Sequence, residues 1–335
     1  VPAALTELTE IVTGLGTLAP DLTGALARRP AALRHVPDDV WDRLVTLHAR
    51  GDHAAAFAMA FANGTALLWA EDGLRHRPPR LVEWRGQHRV PGDDHVPADL
   101  RIDHVYLVSC KYLSRILVNC GPSRLFDRCL VGEDRSRVDW FEEVAPDAYG
   151  AFYDAVRTRV ADELPDLPGR PGDLATADRA RLRTALADRR LPEPLQSAWR
   201  DLSAEVAAAS AARWSAAIGH GRGALRQLWR LLRVGDAAYF VLGADRDRHV
   251  RLRVSSAWDW SQHYELAAFE VRPRDAGQPE VGWTATVVDR AVGMPVEVRG
   301  HVQVRWSHGR FGGAPEAKVY LDVPLRSVPG YHDLR

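Results

Sequence analysis

The spacing of apolar residues changes twice along the chain. Over residues 1–75 it follows a helical period. Val40–Arg50 and Ala54–Ala62 repeat apolar side chains close to every 3.6 residues, with Asp38 or Asp39 placed to cap the first helix and Asn63-Gly64 to stop the second. From Arg80 the period shortens. Leu81–Trp84 reads as a short strand, Gly86 to Pro97 as a loop rich in Gly, Pro and Asp, Ala98–Ile102 as an alternating strand, and Val105–Cys110 as an apolar β-rich run. Asp103-His104 between the last two predicts a tight turn. Tyr112–Asn119 reads as helix, broken by Gly121-Pro122, and Leu125–Leu130 starts another.

Residues 133–215 return to the helical period. Ala175–Arg190 and Leu195–Ile218 are the strongest segments, a Pro/Gly linker occupies Pro165–Gly172, and Ala224–Arg233 continues the trend. From Ala237 alternation takes over again. Six strands are predicted: Ala238–Gly243, Val250–Ser255, Glu265–Val271, Trp283–Val288, Val296–Trp306 and Ala317–Val323, several joined by short turns such as Asp245-Arg246-Asp247. The expectation is an α/β protein in three parts: a helical lead-in with an α/β domain over 1–165, a helical connector over 166–235, and a β-rich domain over 236–335.

Composition narrows the function classes. A formal net charge of +0 gives no global attraction to polyanions, so nucleic-acid binding must come from local patches. No apolar run reaches the ~18 residues that span a bilayer, so no membrane partner is expected. Val1–Pro20 has neither a basic n-region nor a continuous apolar stretch and does not read as a signal peptide. Three cysteines spaced about ten apart, Cys110, Cys120 and Cys129, argue against a disulfide framework or a zinc site and point to a reducing, cytoplasmic compartment. Of 44 Lys and Arg residues only two are lysines, Lys111 and Lys318, and only two asparagines occur, Asn63 and Asn119. Such a composition replaces Lys by Arg wherever either serves. A surviving lysine therefore marks a place where a compact ammonium differs from a guanidinium. Ile102, Lys111, Ile116 and Asn119, all of types the chain avoids, gather within twenty positions.

That neighbourhood contains Pro97-Ala98-Asp99 and, one hairpin later, Ser109-Cys110-Lys111 at the end of a strand. Over about residues 80–130 it resembles the PD-(D/E)XK, or restriction-endonuclease-like, nuclease superfamily. There a Pro-Asp or a lone Asp opens one strand, an acid-x-Lys closes the next, and a helix follows. Here Ala98 interrupts Pro-Asp and Ser109 stands at the acid position. The resemblance implies a mixed sheet core with flanking helices and a Mg²⁺- or Mn²⁺-dependent nuclease hydrolysing phosphodiester bonds in DNA, in restriction or phage defence. Asp99 and Glu83 would hold the metal, Lys111 would position water or phosphate, and Ser109 would be an auxiliary ligand. The residue types suit the chemistry. Mg²⁺ takes carboxylate, water and phosphate oxygens, and Ser109 and Lys111 project from one face of a strand. Two other classes stay open: a nuclease fold without activity that binds nucleic acid or a partner, and a Ser-Lys hydrolase using Ser109 and Lys111. DNA is the expected partner, RNA the second, and a homo-oligomer or a multi-subunit complex the assembly states left open.

Further features bear on a polyanion partner. Arg222, Arg226, Arg230 and Arg233 fall on one face of the predicted helix and form a candidate nucleic-acid stripe. Trp258-Asp259-Trp260 offers rings for stacking or for the core. Glu316-Ala317-Lys318 also fits acid-x-Lys, but at the start of a strand, and reads as structural or as a phosphate contact. Gly219–Gly223 lacks the ending of a P-loop, and neither HExxH nor G-x-S-x-G occurs.

Overall fold

The computed structural model describes residues 2–86, 97–112, 116–132, 139–187, 190–245 and 248–335, with side chains from residue 5. The predicted loop between Gly86 and Pro97 and the centre of the Asp245-Arg246-Asp247 turn lie outside them. The chain begins with α1 (Pro2–Gly16), α2 (Leu22–Arg28), β1 (Leu33–Arg34), α3 (Asp38–Ala49) and α4 (Ala54–Trp69). Next come β2 (Val82–Trp84), β3 (Leu100–Ile102), β4 (Tyr106–Lys111) and β5 (Val118–Cys120). A helical stretch follows, with α5 (Pro122–Phe126), α6 (Trp140–Val144), α7 (Pro146–Arg159), α8 (Thr176–Ala185), α9 (Leu195–Ile218) and α10 (Arg222–Leu231). The rest is β6 (Tyr239–Asp245), β7 (Arg248–Val254), α11 (Ala257–His263), β8 (Tyr264–Asp275), β9 (Pro279–Asp289), β10 (Pro295–Arg305), β11 (Glu316–Leu321) and β12 (Tyr331–Asp333). The protein is mixed α/β. No described helix is long and apolar enough to cross a membrane.

Two compact units interleave along the chain: Val1–Arg115 with Leu232–Tyr264 and Pro324–Arg335, and Ile116–Leu231 with Glu265–Val323. The contiguous division read from sequence differs from this because the C-terminal strands serve two sheets. Strands β6, β7 and β12 join the first unit, and β8 to β11 the second.

The first unit is built on a seven-stranded sheet in the order β1-β2-β3-β4-β6-β7-β12. β2, β3 and β4 form an antiparallel meander, β6 lies parallel to β4, and β7 and β12 continue antiparallel. Parallel neighbours need a crossover, and the one from β4 to β6 contains the whole Ile116–Leu231 segment. One sheet face carries Val82, Trp84, Leu100, Ile102, Val108, Cys110, Phe240 and Leu242. It packs with Leu8, Ile11, Val12, Leu15, Phe57 and Leu67 of α1 and α4 in one core.

Asn63-Gly64 does not stop a helix here. α4 runs through to Trp69, because Gly64 is where α1 and α4 touch. A Cβ on Gly64 would lie 2.0 Å from the Thr13 carbonyl oxygen, and one on Gly16 2.2 Å from that of Phe61. The pair of glycines brings the two backbones together. Asp38 and Asp39 lie in the first turn of α3 rather than capping it, where their charge still favours the helix N-terminus.

The second unit has a five-stranded sheet in the order β5-β11-β10-β9-β8, with antiparallel ladders from β5 to β9. Helix α9 packs on β9 and α7. Rings of Phe126, Trp140 and Trp214, and of Tyr149, Phe152, Trp306 and Phe311, fill the interior. The segment expected to continue as helix to Asn119 instead ends in β5, which pairs with β11 at Asn119↔Lys318. All six predicted C-terminal strands are strands, and β12 and α11 are additions.

Candidate functional site: the open end of the β3–β4 hairpin

The hairpin is closed by Asp103 and His104, both in the left-handed region at φ 48° and 60°. Asp and His tolerate that region better than most residues. The Asp103 carboxylate accepts the Arg80 and Leu81 amides at 2.9 Å each. Asp103 thus fixes the turn, at the opposite end of the hairpin from Lys111.

Cross-strand neighbours share a sheet face. The register Glu83↔Arg101↔Leu107 therefore puts Glu83, Arg101, Ser109 and Lys111 on the face opposite the α1/α4 core. Asp99 adds to this group at the open end. Its backbone continues the ladder, donating to the Val108 carbonyl at 2.8 Å and accepting from the Arg85 amide at 2.9 Å. Asp99 is 8% exposed, and its carboxylate accepts the Cys110 amide at 2.6 Å and the Ser109 hydroxyl at 3.4 Å. Lys111 ends β4 half-buried. Asp99 and Ser109 are thus in hydrogen-bond contact, and Lys111 follows Ser109 by two positions on the same strand face.

Glu83 is placed differently. It is buried on β2, and Arg101 across the ladder grips both its oxygens, Nε–Oε2 at 2.6 Å and a terminal nitrogen to Oε1 at 2.8 Å. The hydrogen bond from Arg101 outweighs burial and, with the His104 and His35 charges, holds the Glu83 carboxyl below its usual range. A carboxylate so paired is committed to its guanidinium. Ser109 and Lys111, the pair of the Ser-Lys alternative, share this strand face. Ser109 is 1% exposed, and its hydroxyl is directed to Asp99.

The opposite face carries a network that sequence reasoning missed. Asn63 donates to the Gly243 carbonyl at 2.7 Å and to the Tyr112 hydroxyl at 3.2 Å. Its side-chain oxygen takes Arg251 Nε at 2.8 Å and lies 2.7 Å from His249 Nδ1. Tyr112 continues to Thr13 at 2.7 Å. Burial first, then the neighbouring Arg251 charge, pushes the His249 pKa down. Gly243 is the register partner of Lys111, and a Cβ there would lie 2.2 Å from the Lys111 carbonyl oxygen. Asn63 thus clamps the strand that positions Lys111. The rarity that singles out Lys111 applies equally to Asn63.

On the Asp99 side, Tyr239 is fully buried, and burial raises its pKa, with Tyr331 and the Asp99 charge adding to the effect. Tyr331 donates to the Leu232 carbonyl at 2.6 Å and is pushed up to about 12 by burial. The proposed arginine stripe is split. Arg222 and Arg226 are exposed on α10, but Arg230 turns to the Cys129 carbonyl at 3.0 Å, and burial lowers its pKa. Arg233 lies beyond the end of α10 at φ 57°. Trp258 is 71% exposed, whereas Trp260 is core. Among the described residues, no group of three or more His, Cys, Asp or Glu side chains is placed to hold a metal. Comparison with protein-family models, curated proteins and solved structures finds no match for this chain.

Proposed function

We propose that the open end of the β3–β4 hairpin is the site of a metal-dependent nuclease of the restriction-endonuclease-like kind, acting on DNA. The bond from the Cys110 amide to the Asp99 carboxylate carries this reading, because it fixes an acid beside the strand end that bears Lys111. Mg²⁺ is commonly held by one or two carboxylates, with water and substrate phosphate completing an octahedron. Asp99 with Ser109 fits the smaller set. Glu83 stays outside it while Arg101 grips its oxygens. A bound Mg²⁺ or Mn²⁺ supplies a water of lowered pKa and neutralises charge on the phosphate. Asp99 anchors the ion. Ser109 steadies Asp99 through its hydroxyl. Lys111 contacts the scissile phosphate or orients the attacking water. Arg222 and Arg226 in one unit and Trp258 in the other are exposed side chains of types suited to phosphates and bases.

The Glu83–Arg101 pair favours a second reading, a nuclease-like subunit that binds nucleic acid or a partner without cutting, because it withholds the second carboxylate. The test is incubation of the purified protein with plasmid, single-stranded DNA and RNA, with Mg²⁺ or Mn²⁺ against EDTA, beside Lys111→Ala and Asp99→Asn. Asn at 99 keeps an oxygen for the Cys110 amide and removes the charge. Metal-dependent cutting lost in both variants supports the nuclease. Binding without cutting supports the second reading. Cutting that survives both substitutions overturns the site.

A further inference from the structure

In the first unit, α4 and β7 hold two basic side chains that have no carboxylate partner among the described residues. They are His249 and Arg251, two positions apart on β7 and so on one sheet face. That face is the one packed against α4, since Arg251 bonds to Asn63 and Ala62. Both side chains are half-buried. Arg253, next on the same face, does have an acid, Asp72 at 3.9 Å. Charges drawn out of water are normally paired, and this pair is not.

The two side chains are held in fixed orientations. The Asn63 amide nitrogen donates to the Gly243 carbonyl at 2.7 Å, which turns its oxygen toward β7. That oxygen takes Arg251 Nε at 2.8 Å and lies 2.7 Å from His249 Nδ1. The Ala62 carbonyl takes Arg251 Nη2 at 3.3 Å. An amide oxygen only accepts, so His249 carries its proton on Nδ1 and keeps Nε2 for another partner. Arg251 Nη2, 3.1 Å from Nδ1, then faces an N–H where a lone pair would have satisfied it. Arg251 Nη1 and His249 Nε2 have no partner among the described residues, and neither atom is sealed from solvent. From the turn at Leu325–Ser327, Arg326 brings a further guanidinium to the His249 carbonyl at 3.2 Å, with Asp333 as its own acid at 3.3 Å. Burial lowers the pKa of both His249 and Arg251, and the Arg251 charge adds to the effect on His249. The pair is therefore oriented and electropositive before any ligand arrives.

We infer that Arg251 and His249 form a binding site for a phosphate-type oxyanion, either free phosphate or a phosphate monoester, which accepts from Arg251 Nη1 and from His249 Nε2. A guanidinium fork suits phosphate oxygens, and Nη2 lying against the imidazole keeps the two donors close enough for one tetrahedral anion. Donation from Nε2 needs the protonated ring, whose second proton comes from solvent or from the monoanion of the ligand. Binding and protonation of His249 are thus linked, and each favours the other. The site stands without the nuclease reading and uses none of the residues assigned to its chemistry.

The test is NMR of the full chain, following backbone amides and the histidine rings, in inorganic phosphate, glycerol 3-phosphate and chloride at matched ionic strength, with glycerol as the neutral control. Saturable shifts at β7 are expected at millimolar or lower concentration with phosphate or its monoester and not with glycerol. The His249 pKa should rise by about one unit over its value in chloride, the equivalent of roughly tenfold tighter binding to the protonated ring. Tighter binding of glycerol 3-phosphate assigns the site to a monoester, and equal or weaker binding to free phosphate. Arg251→Gln should weaken binding by roughly tenfold, the worth of a charge-assisted hydrogen bond. His249→Gln should weaken it less, and it keeps the test valid if Arg251→Gln does not fold. The inference is overturned if no phosphate species gives a saturable shift at β7, if the His249 pKa is the same in phosphate and chloride, or if neither folded variant weakens binding.

Discussion

The chain has two lysines, each in an acid-x-Lys or polar-x-Lys setting, and the structure treats them in opposite ways. Lys318 belongs to the literal match, Glu316-Ala317-Lys318. It is 9% exposed, lies 3.4 Å from Glu316, and sits across the ladder from Asn119. Burial would raise the Glu316 pKa, but hydrogen bonds from Ser307 and Asn119 and the Lys318 charge outweigh it and hold the carboxyl low. That cluster satisfies its own groups. Lys111 follows a serine rather than an acid, yet it stands half-buried at a strand end where a hairpin delivers Asp99 to the adjacent amide. The difference teaches that the spacing of an acid and a lysine along one strand says little. Chemistry depends on which carboxylate arrives from a neighbouring strand and on what holds it there.

Activity separates the two lysines most strongly. Lys111→Ala and Asp99→Asn should each lower metal-dependent cleavage by roughly 10²–10³-fold, the usual worth of one preorganised electrostatic group, and Lys318→Met should leave it unchanged. A plasmid-nicking assay reads this directly, and loss in Lys318→Met alone would exchange the roles. Stability comes next. Asn63→Ala leaves the Gly243 carbonyl, Arg251 and His249 short of a partner and should cost about 2–4 kcal/mol in urea unfolding. A cost under ~1 kcal/mol would remove Asn63 as the clamp behind Lys111. Lys318→Met should cost about 1–2 kcal/mol, because Glu316 keeps Ser307 and Asn119 and is only partly buried.

A smaller effect is expected on acid stability. The folded Glu83 pKa lies below its ordinary 4.5, so its contribution is present above that value and is lost as pH falls through the folded pKa. Glu83→Gln should flatten that limb of a stability-against-pH curve, and an unchanged limb would mean the Arg101 grip does not persist in solution. The smallest effect concerns the stripe. Arg222→Ala and Arg226→Ala should each weaken DNA binding by a few-fold and reduce the slope of log affinity against log salt by about 1. Arg230→Ala should change the slope less, because its half-buried guanidinium is turned to the Cys129 carbonyl.

Much of the candidate site was legible because it is local. Asp99, the Asp103-His104 turn and Lys111 lie within one hairpin, whose register follows from alternation and turn chemistry. Glu83 was read as lying on a strand next to the hairpin, but its pairing with Arg101 depends on β2 meeting β3 across a loop, which alternation does not specify. Arg230 was read as part of an arginine stripe on a helix, but the cysteine carbonyl that turns it inward comes from far along the chain.

By itself the sequence determined the helical and strand periods, the hairpin, the six C-terminal strands and the rarity of lysine and asparagine that drew attention to Lys111. These depend on side-chain spacing and backbone preference within a few residues. Only the tertiary structure decided that Gly64 is a crossing point rather than a stop, that Val118–Cys120 is a strand because β11 lies beside it, and that β6 inserts next to β4 after the whole Ile116–Leu231 segment. It also decided that Glu83 is held by Arg101 and that the Asp99 carboxylate receives the Cys110 amide at the open end of its hairpin. These outcomes turn on which distant surfaces become buried against one another. Burial between remote segments is a property of the folded chain, and no local window of sequence contains it.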